Sequence, residues 1–297
     1  MDDRKLHMML TTLRLGSLGK AALELNCSQP AVTQAINSME GELGCKLFTR
    51  NHTGVQLTPA GETLLPLIVD ADASHRRLLE QAKAISQGGV IPIRIAAFAS
   101  FLHSWLPNAI KDYQKDHPEV TFDIRVASEK IHDWLQLGEV DVALADAPMC
   151  KGFRWHPLMD DQYVVVLHQS MISDNVESIP QRELSHYPFI TAPMEEANVQ
   201  LNPRPARCLS VNSEDNSALL SMVAQGLGVT VLPRLCLQSL PPSVRTLELS
   251  PPIKRVLGIA LSNAPNKSVR DFAAFLRKRF PYDTPHVGKA PHLPFSF

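Results

Sequence analysis

Gln29, Thr33, Gln34 and Asn37 follow Ser28 at helical spacing, and Val32, Ile36, Met39 and Leu43 occupy the opposite side of the same turns. Each amide offers a donor and an acceptor on one planar group, and a hydroxyl offers both on one atom. Such groups can read base edges in a major groove, where donors and acceptors alternate. They can equally cap and solubilise an ordinary surface helix. The first use requires neighbouring elements that mount the helix for insertion into a groove.

Those neighbours are legible in the flanking pattern. Leu6, Met9, Leu10 and Leu13 recur at i, i+3, i+4 and i+7, which predicts a helix from near Asp3 that ends at Gly16. Ser17 can cap a second helix carrying Leu18, Ala21, Ala22 and Leu25, and the Asn26-Cys27 turn delivers the chain to Ser28, a suitable N-cap, with Pro30 in the first turn where no N–H is needed. Two short helices and a tight turn make a helix-turn-helix pattern, so the polar face gains a purpose. Residues 47 to 58 read as strand, turn and strand: a wing, with Arg50 placed to meet a phosphate backbone.

At this point a resemblance becomes specific. S-x-x-x-A-A-x-x-L-x-x-S-Q-P-A-V-T, then M-E-x-E-L-G-x-K-L-F-x-R and L-T-P-A-G, resembles the N-terminal half of a LysR-type transcriptional regulator. The resemblance implies DNA contacts at Gln29, Pro30, Thr33 and Gln34, with Arg50 in the wing; Ser28 and Asn37 join them on the same helix. Thr33 stands where that family usually carries serine, and Thr53 and Gln56 stand where it often carries arginine, which weakens the expected grip of the wing on phosphate.

Charge limits what one copy can do. Residues 1 to 58 hold Arg4, Lys5, Arg14, Lys20, Lys46 and Arg50 against Asp2, Asp3, Glu24, Glu40 and Glu42. DNA affinity rests largely on neutralised phosphates, so a single head should bind poorly at cellular salt. Doubling is encoded next: Leu64, Ile68, Ala71, His75, Leu78, Ala82 and Ile85 alternate steps of four and three, the seam of a coiled coil. Thr58 and Pro59 suit the start of this dimerisation helix, Pro66 is expected to kink it, and Gln87-Gly88-Gly89 breaks it. His75 reads as a tolerated polar residue or register device more readily than as a pH sensor.

The second half alternates strands with helical patterns: strands at 91–97, 120–126, 140–145, 163–168, 189–191, 208–211, 228–232 and 257–261, and helices at 100–115 and 217–225. Alternation of this kind predicts open α/β sheets. The plan repeats from residue 92 and from residue 207, which implies two lobes. L-P-x-x-I-x-x-Y-x-x-x-H-P-E-V, L-x-x-G-E-V-D-V-A-L-A and M-V-A-Q-G-L-G-V-T-V-L-P are similar to the effector domain of the same family, and imply its periplasmic-binding-protein architecture with two crossings, near 159–162 and 262–267, and a cleft between lobes.

The expected organisation is thus an α+β and α/β multidomain chain. A winged helix-turn-helix occupies 1–58 and a linker helix with hinge 59–89. An effector domain fills 90–280, with lobe I at 90–160 and 266–280 and lobe II at 161–265, and a loose tail covers 281–297. Effector ligands in open α/β sheets lie beyond the carboxyl ends of strands, where free N–H groups favour anions. Ser100 and Phe101 after the first strand, Ser128 after the second, Ala147 after the third and Ser213 in the other lobe fall at such places; a carboxylate suits them. Ser100 and Ser213 serve as plain helix caps on the blander reading, and Asp146 would repel an acid or bind an amine. Arg204 and Arg207 can supply a cation or remain solvated.

Composition is that of an ordinary globular protein with a formal net charge of −1, so net charge announces no partner. Cys27, Cys45, Cys150, Cys208 and Cys236 lack metal-ligand spacing, which predicts inert thiols and no metal or cofactor. No apolar run reaches membrane-spanning length and no export signal is evident, so a cytoplasmic protein is expected. An α/β enzyme is disfavoured: no nucleophile elbow or phosphate-binding loop is present, and Gly226-Leu227-Gly228 follows a helix instead of a strand. A solute scavenger would need export. A repressor that uses the lobes only to assemble oligomers is the alternative to an effector-responsive regulator binding double-stranded DNA as a dimer or tetramer.

Overall fold

The computed structural model describes residues 2–51, 54–87, 92–127, 129–191, 201, 208–211, 216–237, 239–263 and 265–282. They cluster into two compact units, one formed by residues 1–155 and 260–270 and the other by residues 156–259 and 271–297.

The first unit begins with α1 (Asp3–Leu15), α2 (Leu18–Glu24) and α3 (Gln29–Leu43). Their ends follow from side chains next to them in sequence. The Asp2 carboxylate accepts from Lys5 N, Ser17 Oγ from Lys20 N, and Ser28 Oγ from Ala31 N, while Gly16 and Gly44 close α1 and α3 in the left-handed conformation that glycine adopts without strain. The wing follows as β1 (Phe48–Asn51) paired antiparallel with β2 (Gly54–Leu57). It docks on the α1–α2 turn through Val55 N donating to Gly16 O at 3.0 Å.

One long helix, α4 (Pro59–Gln87), starts with Thr58 Oγ1 accepting from Gly61 N and runs through Pro66 without ending there. Leu65, Ile68 and Val69 of α4 bury themselves with Leu6, Met9, Leu18, Val32, Ile36, Met39 and Leu47 in one apolar cluster. At about 1.5–3 kcal/mol per fully buried side chain, this core holds three short helices that would not persist alone. The expected interlocking seam is therefore corrected in its first turns. Leu64, Ile68 and Ala71 face the chain's own head, and among the described side chains of α4 the large apolar ones left outside are Leu67, Leu78 and Leu79, at 65%, 65% and 56% exposure.

The rest of the first unit is a parallel sheet in the order β4-β3-β5, formed by β3 (Ile93–Ala97), β4 (Phe122–Val126) and β5 (Val142–Asp146). The helix expected over 100–115 is two pieces, α5 (Ala99–His103) and α6 (Leu106–Asp116), because the chain turns at Ser104-Trp105 to bury Trp105 edge-on against Phe101. α7 (Ile131–Gln136) connects β4 to β5, and Arg94 ties β3 to the start of β5 through a bidentate pair with Asp141 at 3.0 Å.

In the second unit β6 (Trp155–His168) starts earlier than expected. It pairs with β10 (Thr230–Pro233) and with β11 (Val244–Ser250), which in turn pairs in parallel with β7 (Ser178–Pro180). β7 and β11 were not anticipated, being short or only weakly alternating. β8 (Phe189–Thr191) and β9 (Cys208–Ser210) pair in parallel, and α8 (Asn216–Ala224) packs Leu219, Leu220 and Val223 beneath β10. β12 (Lys254–Leu261) and α9 (Lys267–Arg279) complete the fold. Asp161 is buried, its carboxylate accepting from Arg255 Nε and Nη2 and from Leu235 N, at 3.0, 2.8 and 3.1 Å. The chain passes between the units at 155–156, 259–260 and 270–271.

Candidate functional site

α3 carries the polar constellation as the spacing requires. Val32, Ile36 and Met39 are buried, at 0%, 2% and 0% exposure, so the helix is fixed to the head by one face. Ser28, Gln29, Pro30, Gln34 and Asn37 are exposed and Thr33 is half-buried on the other. Ser28 has a second task, since its hydroxyl caps the helix at Ala31 N. Gln29, Thr33 and Asn37 stand in line along one side of α3, with Gln34 beside them. Four groups that can each donate or accept thus point away from the core over about two and a half turns, the reach needed to address successive base pairs.

Glu40 joins this helix to the wing, a role that sequence reasoning missed by counting the residue only as an anion. Its side chain is 6% exposed, and its carboxylate accepts from Leu47 N at 2.9 Å, Phe48 N at 3.3 Å and Lys46 Nζ at 2.6 Å. Burial pushes the carboxyl pKa up, but the Lys46 ammonium and the two backbone N–H groups together hold it below the usual carboxylate range. The signal available was positional: an acid at the i+4 position from Ile36, on the apolar side of the helix.

The wing places the backbone of Arg50 in β1 opposite Val55. Thr53 lies outside the described residues. Of the head's other cations, Lys5 pairs with Glu42 at 2.5 Å, Arg14 with Glu24, and Lys46 with Glu40. The Lys5 hydrogen bond holds the Glu42 pKa down to about 2. Much of the small positive charge is therefore matched within the head itself, which sharpens the expectation that one copy binds DNA weakly.

The proposed effector positions divide. Residues 98–101, 127, 129–130 and 147–150 follow the carboxyl ends of β3, β4 and β5, three adjacent parallel strands, so one edge of the sheet gathers them. Ser100 is 1% exposed and lies in the second position of α5, whose N-cap is Phe98; it is not the cap itself. Phe101 is fully buried, edge-on against Trp105. Ala147 is exposed, and Asp146 is occupied in accepting from Met149 N at 3.2 Å. Ser128, Ser213, Arg204 and Arg207 lie outside the described residues.

Cys150 is buried, and that burial, with Asp146 nearby, pushes its pKa up to about 12, as in an inert thiol. His75 Nδ1 sits 3.8 Å from Asp3 of α1. Among the described residues no group of three or more His, Cys, Asp or Glu could hold a metal ion, and no helix is long and apolar enough to cross a membrane.

Residues 4–62 match the family "bacterial regulatory helix-turn-helix protein, lysR family", and residues 87–281 match the LysR substrate binding domain. A probable HTH-type transcriptional regulator, LrrA of Synechococcus elongatus, is 30% identical over 269 residues, covering 88% of this chain and 90% of its own. The HTH-type transcriptional regulator ClcR of Pseudomonas putida is 26% identical, covering 78% and 83%. Among solved structures, a cysteine-to-aspartate variant of full-length OxyR from Pseudomonas aeruginosa superposes with a TM-score of 0.63 at 23% identity, covering 93% of this chain and 98% of that one. Full-length CbnR complexed with its target DNA gives 0.55 at 18%, covering 94% and 99%. At these identities the two structures speak for the fold.

Proposed function

The chain belongs to the LysR family of bacterial regulatory helix-turn-helix proteins, and on that premise we propose that it is a sequence-specific transcriptional regulator reading an imperfect inverted repeat through paired α3 helices. The exposed row Gln29, Thr33, Gln34 and Asn37 on a helix otherwise anchored in the core carries this reading. Arg50 in the wing supplies phosphate contact without sequence preference. The organisation that goes with it is a head at 1–58, a linker helix and hinge at 59–89, two effector lobes within 90–280 and a tail beyond.

Dimerisation follows from the exposed leucines of α4. Leu67 and Leu78 are eleven residues apart, three helical turns, and so share one face with Leu79 beside it. A second copy covers that stripe and brings two weakly charged heads onto one duplex. The carboxyl edge of β3, β4 and β5 receives a small acid, with Ser100 and the backbone N–H groups near it as the holding elements, and the protein works in the cytoplasm, where its DNA lies.

Selection of bound sequences from random duplex DNA tests the reading. Recovered sites should contain two half-sites about 34–36 Å apart, one turn of the duplex or a multiple of it. Recovery of one short site insensitive to its surroundings would overturn it.

A further inference from the structure

The first unit contains a contact that DNA reading through α3 does not use. Leu137, the residue after α7, is buried within the same apolar cluster as α1, α3 and the start of α4. Beside it the chain turns at Gly138 in the left-handed conformation, φ +61°, and presses against α4: a Cβ placed there would meet Val69 Cγ1 at 3.3 Å, Ala73 Cβ at 3.4 Å and Arg76 Nη2 at 3.5 Å. Arg76 Nη2 donates to Gly138 O at 3.0 Å. The space left beside this turn is about 10 Å³, room for no more than one water. The next residue, Glu139, lies 3.6 Å from Arg14 Nε of α1 and accepts from Arg125 Nη1 of β4 at 2.9 Å, with the Arg125 guanidinium over the Trp134 ring at 5.5 Å.

We propose that Arg76, Gly138 and Glu139 are positioning residues of the DNA reader: the turn after α7 holds α4 and α1 of its own chain and so sets the angle at which the head is presented. Three observations join in this reading. The turn shares the head's apolar core, it approaches α4 closely in a left-handed conformation that favours glycine, and it places a carboxylate between a cation of the head and a cation of the sheet. The contact leaves Gln29, Pro30, Gln34 and Asn37 exposed, so it orients the reading face and does not cover it. Two rigid, bridged heads match only half-sites of one separation, whereas heads on loose mounts tolerate several at lower effective concentration. α7 begins beyond the carboxyl end of β4, so a ligand held at that edge would shift this turn through a helix of about 9 Å; that extension rests on the effector reading above, and the spacing experiment does not.

The experiment uses the full chain and operators recovered by the selection described above, re-made with five base pairs inserted between half-sites. The wild type should lose at least about tenfold in affinity on insertion, and an Arg76→Gln/Glu139→Gln chain less than about threefold, with binding to an isolated half-site equal in both. Glu139→Asp should restore much of the wild-type preference. An Arg76→Gln/Glu139→Gln chain with unaltered spacing preference, or one whose half-site binding falls as far as its operator binding, overturns the proposal while leaving the DNA-reading assignment standing. A wild type that binds no DNA sinks both.

Discussion

Single side chains on α3 divide into those that hold the helix and those that read. Gln29→Ala or Thr33→Ala should cost about 1–3 kcal/mol on the preferred operator and little on random duplex, so the ratio of the two falls. Arg50→Ala should weaken both alike and lower the slope of affinity against salt by about one ion. Equal behaviour of the two classes in a filter-binding competition would show the roles to be misassigned. Glu40 makes a separate prediction about pH. Its folded pKa is depressed below the unfolded value of about 4.3, so its contribution to stability is complete above that value and is lost as pH falls through the folded pKa. Acid below the usual carboxylate range should therefore loosen the wing, and Glu40→Gln should remove that part of the acid sensitivity, read as amide exchange at Leu47 and Phe48.

Whole elements behave as their neighbours dictate. α4 is amphipathic in two directions: Leu65, Ile68 and Val69 go to its own head, and Leu67, Leu78 and Leu79 face outward. Leu78→Asp with Leu79→Asp should leave the fold intact and shift the protein to a monomer in sedimentation, with operator affinity reduced at least about a hundredfold as the second head is lost. Dimers that survive both changes would remove α4 from the interface. In the second unit, Asp161→Ala leaves the Arg255 guanidinium buried without its carboxylate, and should destabilise that unit by about 3–5 kcal/mol in urea titration. Asp161 lies at the first part of β6 and Arg255 at the start of β12, a pairing across the chain that no local pattern discloses.

At the scale of the molecule, the head's small charge and internal ion pairs should make binding a property of the oligomer, steep in protein concentration, with a salt slope limited by the few unpaired cations of each head. An effector should raise the melting temperature of the wild type, by RT ln(1 + [L]/Kd) in free energy, and do so much less for Ser100→Ala. A screen of small acids by thermal shift checks this; compounds that stabilise both proteins equally would place the effector elsewhere. The two kinds of legibility differ. Helix ends and the reading face were open to inspection in Ser17, Ser28, Gly16 and Gly44, because caps and 3.6-residue periods are set within one or two turns. β7, β11 and the break at Trp105 were not, because a three-residue strand, a weakly alternating one or a buried aromatic turn has no clear period of its own.

Sequence alone determined the order of the head's elements, the apolar side of its three short helices and the polar residues left exposed on α3, since each depends on neighbours a few positions away. Tertiary structure alone decided that Glu40 locks the wing, that Ile68 belongs to the head's core in place of a partner's, and that Gly138 rests on α4. The last two bring together residues separated by tens of positions and the first joins residues across a turn; chain folding in three dimensions, through competition for the same buried surface, selects among apolar faces that local spacing leaves equivalent.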